Sequence, residues 1–548
     1  MNRSTPRTVM RMNSSKARSK LAVVVAALTV AVLALASCSS GGSSTSTGSD
    51  DSKPVKGGTI RAALSGDPQN LDMGLSSASL TIFVASNIFE GLFALDESNA
   101  PQPMLAKSYE VSDDGLTYTI PLRDGVPFQN GDILDSADVV ASLQRWMSIS
   151  STGQQVSADL DSLKAPDANT VVIKLTRPRY SLISDLAFYV QSAVIMPEDI
   201  AKAAGKSPLT SKQVVGTGPY ELEKYTAGES VKLKRFDDYA ALTDDEGGLA
   251  GAKHAYADAI DYTFVTDASQ RLNGLKTGQW DWVDGISADD VEAASADKSL
   301  TVRASVPGVV NTVVLNHNSS SAFASLDARR ALNMVIDKKV FAKATFGPKW
   351  LWDPLTPAMV NPSNKAMFSD AGADIYQDYD PAEAKKLFAK AGIDGSRPIR
   401  IISTKTYPQF YQWAVLIQGE LKKIGIEAKI ATYDYPTVSE KVRSEPNSWD
   451  LSMTYFSGGV VSPAQIVWLT PAWPGEYRNA DLDALLADYQ KSTTPDEAKQ
   501  VVEKIQTLVY DDLPAVQLGA SSAVGVFSAK LHVPGDWTSF LWNSWLSK

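Results

Sequence analysis

An α/β fold is what this 548-residue sequence predicts. Strand-type and helix-type patterns alternate along it, no segment repeats at a fixed period, and no long linker interrupts it after Lys56. Among the strands, Tyr118, Ile120 and Leu122 fall on one face of 117–123. Residues 170–175 are compact and β-branched, and Val231 and Leu233 alternate with Lys232 and Lys234. Among the helices, Val139, Val140, Leu143 and Trp146 form one stripe behind the cap candidate Ser136. Asp380-Pro381-Ala382-Glu383 joins a capping acceptor to proline at the first helical position, and Gly392 closes that helix. Thr494-Pro495-Asp496-Glu497 repeats the device before a helix reaching about Tyr510. A helix ending at 420–425 leads into a strand at 426–431. Because the two patterns interleave throughout, the domains are expected to interleave as well.

Ahead of the fold stands a segment of different character. Residues 1–20 carry Arg3, Arg7, Arg11, Lys16, Arg18 and Lys20 and no acid, and residues 21–36 are unbroken apolar. That charge step before a short apolar core predicts a secretory signal over 1–37 and not a membrane span. Leu35-Ala36-Ser37-Cys38 resembles a bacterial lipobox, in which the signal is cut before a cysteine that then receives lipid. Cys38 is the single cysteine of the chain, so no internal disulfide can form. Lipid on Cys38 would hold the protein at the outer face of the cytoplasmic membrane. Residues 38–56 are Ser/Gly/Thr-rich and predict a flexible tether.

Composition excludes several functions. With 62 acidic against 52 basic residues, and six of the basic ones in the signal, the body is acidic, which argues against nucleic-acid binding. The three histidines, His254, His317 and His532, are far apart and suggest no zinc site. No HExxH or GxSxG motif occurs, and GTGPY at 216–220 lacks the spacing and lysine of a phosphate loop. No metal or cofactor is expected. A hydrolase working through two carboxylates is the enzyme alternative, since abundant acidic residues cannot exclude it.

Several stretches resemble the extracellular solute-binding proteins of family 5, the oligopeptide, dipeptide and nickel-binding group. IFEGLFAL at 88–95 resembles an early helix-to-strand passage of that family. The run from Leu105 to Arg145, LAKSYEVSDDGLTYTIPLRDGVPFQNGDILDSADVVASLQR, is the most specific match. GTGPY with Tyr239, QRLNGLKTGQWD at 270–281, NHNSSSAFASLDARRALNMVID at 316–337, residues 382–393 and 416–428, and DDLPAVQL at 511–518 follow in the family's order. Most of these residues also read as scaffold: turn glycines, capping acids and strand alternation.

The resemblance implies a two-lobed, periplasmic-binding-protein-like fold with an extra small domain and a cleft between the lobes. One lobe would combine 57–75, 206–305 and 512–548, with an insert at 76–205, and the second lobe would be 306–511. The hinge would cross near 303–315 and 508–516. The implied function is the non-enzymatic substrate-binding subunit of an ABC importer, a monomer that delivers its solute to permease and ATPase partners. In peptide-binding members an extended peptide adds to strands on both sides of the cleft. The resemblance places one such strand at Ser79, Leu80 and Thr81. It places the other in the segment from Asp450 to Pro463, with Phe456, Ser457, Gly458 and Gly459 against the ligand. There the family's ammonium-binding aspartate falls on Gly459, with Asp434 and Glu476 as nearby substitutes. The tryptophans Trp350, Trp352, Trp413, Trp449, Trp468 and Trp473, of which Trp468 and Trp473 flank the segment, support an alternative ligand, an oligosaccharide stacked on aromatic rings. Nickel is a weaker alternative.

Overall fold

The computed structural model of the protein describes residues 53–547, apart from 306–307, 353–354, 457–461, 470 and 472. The signal, Cys38 and most of the tether lie outside the described residues, as do Ser457, Gly458 and Gly459. A seven-stranded sheet forms the first lobe. Its order is Leu300–Ala304, Val524–Ser528, Trp282–Val283, Thr59–Leu64, Ala259–Phe264, Ser230–Arg235 and Tyr220–Thr226. Thr59–Leu64 runs parallel to both Ala259–Phe264 and Trp282–Val283. A four-stranded antiparallel sheet built from 110–175 belongs to the extra domain. Tyr118 and Ile120 point into its core, as their alternation predicts.

The second lobe carries a five-stranded sheet, in the order Ala428–Tyr433, Ile399–Thr404, Leu451–Phe456, Val309–Leu315 and Ala515–Ser521. Ala515–Ser521 pairs with Val309–Leu315, so the chain returns to the first lobe after Ser521 and not near 508–516. The reason is burial: 515–520 is buried throughout, and such a run needs a sheet partner to satisfy its backbone. The two crossings lie side by side, with Ser305 N donating to Ala523 O at 2.9 Å and Ala523 N donating to Ser305 Oγ at 3.0 Å.

Helix starts follow the sequence closely. Asp135, one residue before Ser136, caps Ser136–Ile149 in a reciprocal box with Asp138. Asp380 and Thr494 cap Pro381–Lys390 and Pro495–Asp512. Asp337, two residues beyond the helix Leu326–Val335, opens the next, accepting from Lys339 N and Val340 N at the start of Lys338–Thr345.

The stretches that resemble the solute-binding family find one another in space. Asp72 and Arg145 form a fully buried ion pair at 2.5 Å. Glu90 accepts from Thr217 Oγ1 at 3.1 Å and Tyr239 Oη at 2.8 Å, with Lys253 Nζ at 3.2 Å. Gly218 N and Tyr220 N donate to the carbonyls of Ile88 and Asn87. A Cβ on Gly216 or Gly218 would collide with that backbone, which is why glycine stands there. In the second lobe Arg329 meets Asp512 at 2.6 Å. The recognisable residues are therefore the frame of the molecule.

Candidate functional site

The strands Ala428–Tyr433, Ile399–Thr404 and Leu451–Phe456 run parallel, so their carboxyl ends share one edge of the second sheet. Open α/β sheets bind ligands at such an edge. Strand alternation sends Leu451, Met453 and Tyr455 to one face and Phe456 to the other. Tyr455 then packs on Phe410 at 5.7 Å and near Tyr407 at 6.5 Å, while Tyr407 meets Tyr435 edge-on at 4.9 Å. Tyr407 enters from the turn after Ile399–Thr404, and Tyr435 opens the helix that follows Ala428–Tyr433. The three phenols form an aromatic wall.

The first lobe presents a different chemistry at the carboxyl ends of its own parallel strands. Ser65 follows Thr59–Leu64, and Asp284 follows Trp282–Val283. Ser65 Oγ donates to Asp284 Oδ2 at 2.5 Å, and Asp284 N donates to Ala63 O at 2.9 Å. Arg271 stands behind them, donating to the carbonyls of Val265, Thr266 and Gly285. Burial pulls its guanidinium down from the ordinary arginine value, and the charge of Asp284 works against that pull.

The two sets face each other. Ser79, at the start of the inserted segment, lies close enough to the Tyr455 hydroxyl of the second lobe to ease its ionisation slightly. Burial, followed by the neighbouring phenols and the negative charge of Asp284, pushes Tyr455 up to about 12. Tyr407 and Tyr435 are also raised by burial. All three therefore remain neutral hydroxyls at physiological pH, able to donate and to accept.

Of the residues singled out in the sequence, Ser79 is brought to this space, but not as part of a strand. Ser79, Leu80 and Thr81 open the helix Ser79–Ala85. Thr81 Oγ1 is engaged with the carbonyls of Pro68 and Asn70, and Ile82, Val84 and Ala85 bury against the first core, so packing makes a helix where the resemblance implied a strand. Leu80 is half-buried and packs on that core. Phe456 ends its strand, half-buried, 5.6 Å from the half-buried ring of Trp473. Trp468 is buried in an apolar cluster with Ile466, Tyr477 and Val509. Asp434 caps its helix through Thr437 N, and Glu476 is exposed. The sequence reading missed Ser65, Asp284, Tyr407, Tyr435 and Tyr455. Their signal was positional, since each lies at or just beyond the carboxyl end of a parallel strand. Among the described residues, no group of three His, Cys, Asp or Glu side chains could hold a metal. Nor is any described helix long and apolar enough to cross a membrane.

Residues 100–475 match the model of the bacterial extracellular solute-binding proteins, family 5 Middle. The chain belongs to this family of bacterial extracellular solute-binding proteins. It is 28% identical over 513 residues to a probable peptide ABC transporter periplasmic-binding protein of Sinorhizobium fredii, covering 88% of this chain and 93% of that one. It is 29% identical over 483 residues to the glutathione-binding protein of Salmonella typhimurium, covering 85% and 88%. The fold is similar to that of a periplasmic binding protein from A. tumefaciens R10 in complex with agropinic acid, with a TM-score of 0.75 at 23% identity over 90% of this chain and 99% of that one. The solute-binding protein described here is thus the extracytoplasmic substrate-binding component of an ABC transporter, and not an enzyme.

Proposed function

We propose that the solute-binding protein is the lipid-anchored receptor of an importer for peptides or peptide-like solutes, held between the lobes and passed to a membrane permease. One observation carries the reading. Leu451–Phe456 pairs with Ile399–Thr404 at Leu451 and Ser452, and the two strands then part. Beyond Ser452, no described strand pairs with Met453–Phe456 on that side. An extended peptide fits such an edge by strand addition, which reads main-chain groups and tolerates varied side chains. The phenols of Tyr407, Tyr435 and Tyr455 supply neutral hydrogen-bonding partners beside it. The peptide and glutathione named for the two relatives agree with this class of solute.

The oligosaccharide reading needs open indole faces. Trp352, Trp413, Trp449 and Trp468 are buried, which favours peptides. In this proposal the first lobe comprises 57–75, 206–305 and the chain after Ser521. The insert is 76–205, and residues from 308 to 521 form the second lobe. Cys38 carries the lipid. Denaturing freshly purified protein and weighing the released solute by mass spectrometry should yield peptides; a glycan would overturn the reading. Cys38→Ser should move the protein from the membrane fraction to the soluble one.

A further inference from the structure

The inserted segment meets the second lobe at a contact whose two halves are each formed locally. On the second lobe the helix Ala480–Gln490 ends there, and its last carbonyls need donors from outside the helix. Tyr180 N supplies one, donating to Gln490 O at 3.0 Å. The Gln490 side chain completes the pair, accepting from Ser181 N and donating to Ser181 Oγ, although the two residues stand 309 positions apart in the chain. Gln465 Nε2 adds a longer approach, 3.4 Å from Asp185 Oδ1 and 3.5 Å from Ser184 O.

On the insert, residues 179–181 are held by partners from the insert itself. Tyr118 Oη, on the four-stranded sheet, donates to Arg179 O at 2.9 Å. The Arg179 guanidinium is fixed between Asp159 and Asp185, and Ser181 Oγ donates to Asp185 Oδ2 at 2.7 Å. Arg179, Ser181 and Asp185 are all buried. The contact therefore joins two surfaces whose polar groups are already aimed, so little ordering is needed to form it. Every donor and acceptor in it is a protein group, so it can form while the space between the lobes is empty.

We infer that this contact is a latch that closes the solute-free receptor. Closure is then an equilibrium that the protein itself favours, and a solute shifts it further by the contacts that it adds. Solute enters through the open fraction and holds the closed one. It need not supply all of closure itself, which suits a receptor for solutes of varied side chains. The inference concerns the empty protein and holds whichever solute the site takes.

The test follows the lobes of the full mature protein, stripped of its solute. Cys38 is the single cysteine of the chain. With Cys38→Ser, the exposed positions Lys164→Cys on the insert and Lys504→Cys on the second lobe take a dye pair for single-molecule energy transfer. Without solute, this protein should show a short-separation population exchanging with a longer one. Adding Ser181→Ala and Gln490→Ala should move the ratio of long to short by about 10- to 100-fold towards the long, as expected for loss of two hydrogen bonds. Gln490→Glu keeps the acceptor and loses the donor, and should fall between. Ser181 is buried; if its substitution prevents folding, Gln490→Ala alone carries the test, since Gln490 is only half-buried. An equal ratio with and without the substitutions overturns the latch, whatever value that ratio takes. A lowered thermal midpoint with the ratio unmoved would mark a merely structural role and overturns it equally.

Discussion

Where the extra domain reaches the second lobe, Gln490 is held on three sides. Its carbonyl accepts from Tyr180 N at 3.0 Å, its Oε1 accepts from Ser181 N at 3.1 Å, and its Nε2 donates to Ser181 Oγ at 2.9 Å. Ser181 Oγ donates onward to Asp185, which Arg179 also bonds, and Arg179 reaches Asp159 at 3.0 Å. The Tyr180 and Tyr489 rings close the contact edge-on at 5.5 Å. At the candidate site Ser79 only approaches the Tyr455 hydroxyl, and Asp284 Oδ1 and the edge of Met453–Phe456 stand without described partners. One contact is saturated by the protein itself and the other is left to be completed. The difference suggests a division of labour, in which the outer contact favours approach of the lobes and the inner one makes approach depend on what lies between them. Any opening of the space must part both.

The largest effect should come from the charges behind the outer contact. Arg179→Met would leave Asp159 and Asp185 buried without their shared cation. Burial already raises Asp185 above the ordinary aspartate range, and Arg179 is what opposes that rise most. Breaking a buried pair from one side should lower stability by about 3–5 kcal/mol. Urea unfolding measures it. A loss below about 1 kcal/mol would mean that Arg177, which bonds Asp159 from the surface, carries the network alone.

Acid sharpens the contrast, because it reaches a buried group of the frame and leaves the phenols of the site unchanged. His317 lies in the second lobe, its Nε2 at 2.8 Å from Pro514 O and its ring against Tyr477. Burial lowers it from 6.5 to about 4. Between those values the unfolded chain takes up a proton that the folded chain refuses. Stability should therefore fall as pH descends from 6.5 to 4, by up to about 3 kcal/mol, and this contribution levels off below 4. The phenols at the site hold their protons throughout. Thermal midpoints of wild type and His317→Gln across that range isolate the effect: the gap between them should change with pH, and a constant gap would refute it. Solute affinity, measured where both proteins remain folded, should not follow His317.

The elements that could be read from sequence are those whose cause is local or whose partners are also in the motifs. Asp380 and Thr494 cap the helices they precede, because cap, proline and acid lie within four residues of one another. The resemblance carried the family and the paired lobes, since Arg145, Arg329 and Asp512 of its motifs form the braces of the frame, Arg145 with Asp72 and Arg329 with Asp512. The site was less legible for a physical reason. Ser65, Ser79, Asp284 and Tyr455 belong to different segments, and what unites them is the direction of parallel strands, which no window of sequence displays. Ser79-Leu80-Thr81 shows the converse error: the resemblance placed a strand there, while the apolar core under Ile82, Val84 and Ala85 demands a helix.

The smallest expected effects come from two uncharged side chains, one at each contact. Gln490→Ala removes two hydrogen bonds of the outer contact, Ser181 N to Oε1 and Nε2 to Ser181 Oγ, while the main-chain bond from Tyr180 to residue 490 survives. At about 0.5–1.5 kcal/mol net for each bond, the solute-free protein should shift towards a more open form, visible as a larger radius of gyration in small-angle scattering. Solute affinity should fall by about 10-fold or less, since a population shift taxes binding only through the fraction of closed form. Tyr455→Phe removes one hydroxyl at the inner contact. Ser79 only approaches that hydroxyl, so stability and the solute-free shape should barely move. Affinity should drop by a similar or smaller factor, because the hydroxyl opposite Asp284 is lost when solute is present. The two variants thus separate what favours closure from what rewards it. If Tyr455→Phe opened the empty protein as much as Gln490→Ala does, the inner contact would be a latch as well, and the contrast between the two would fail.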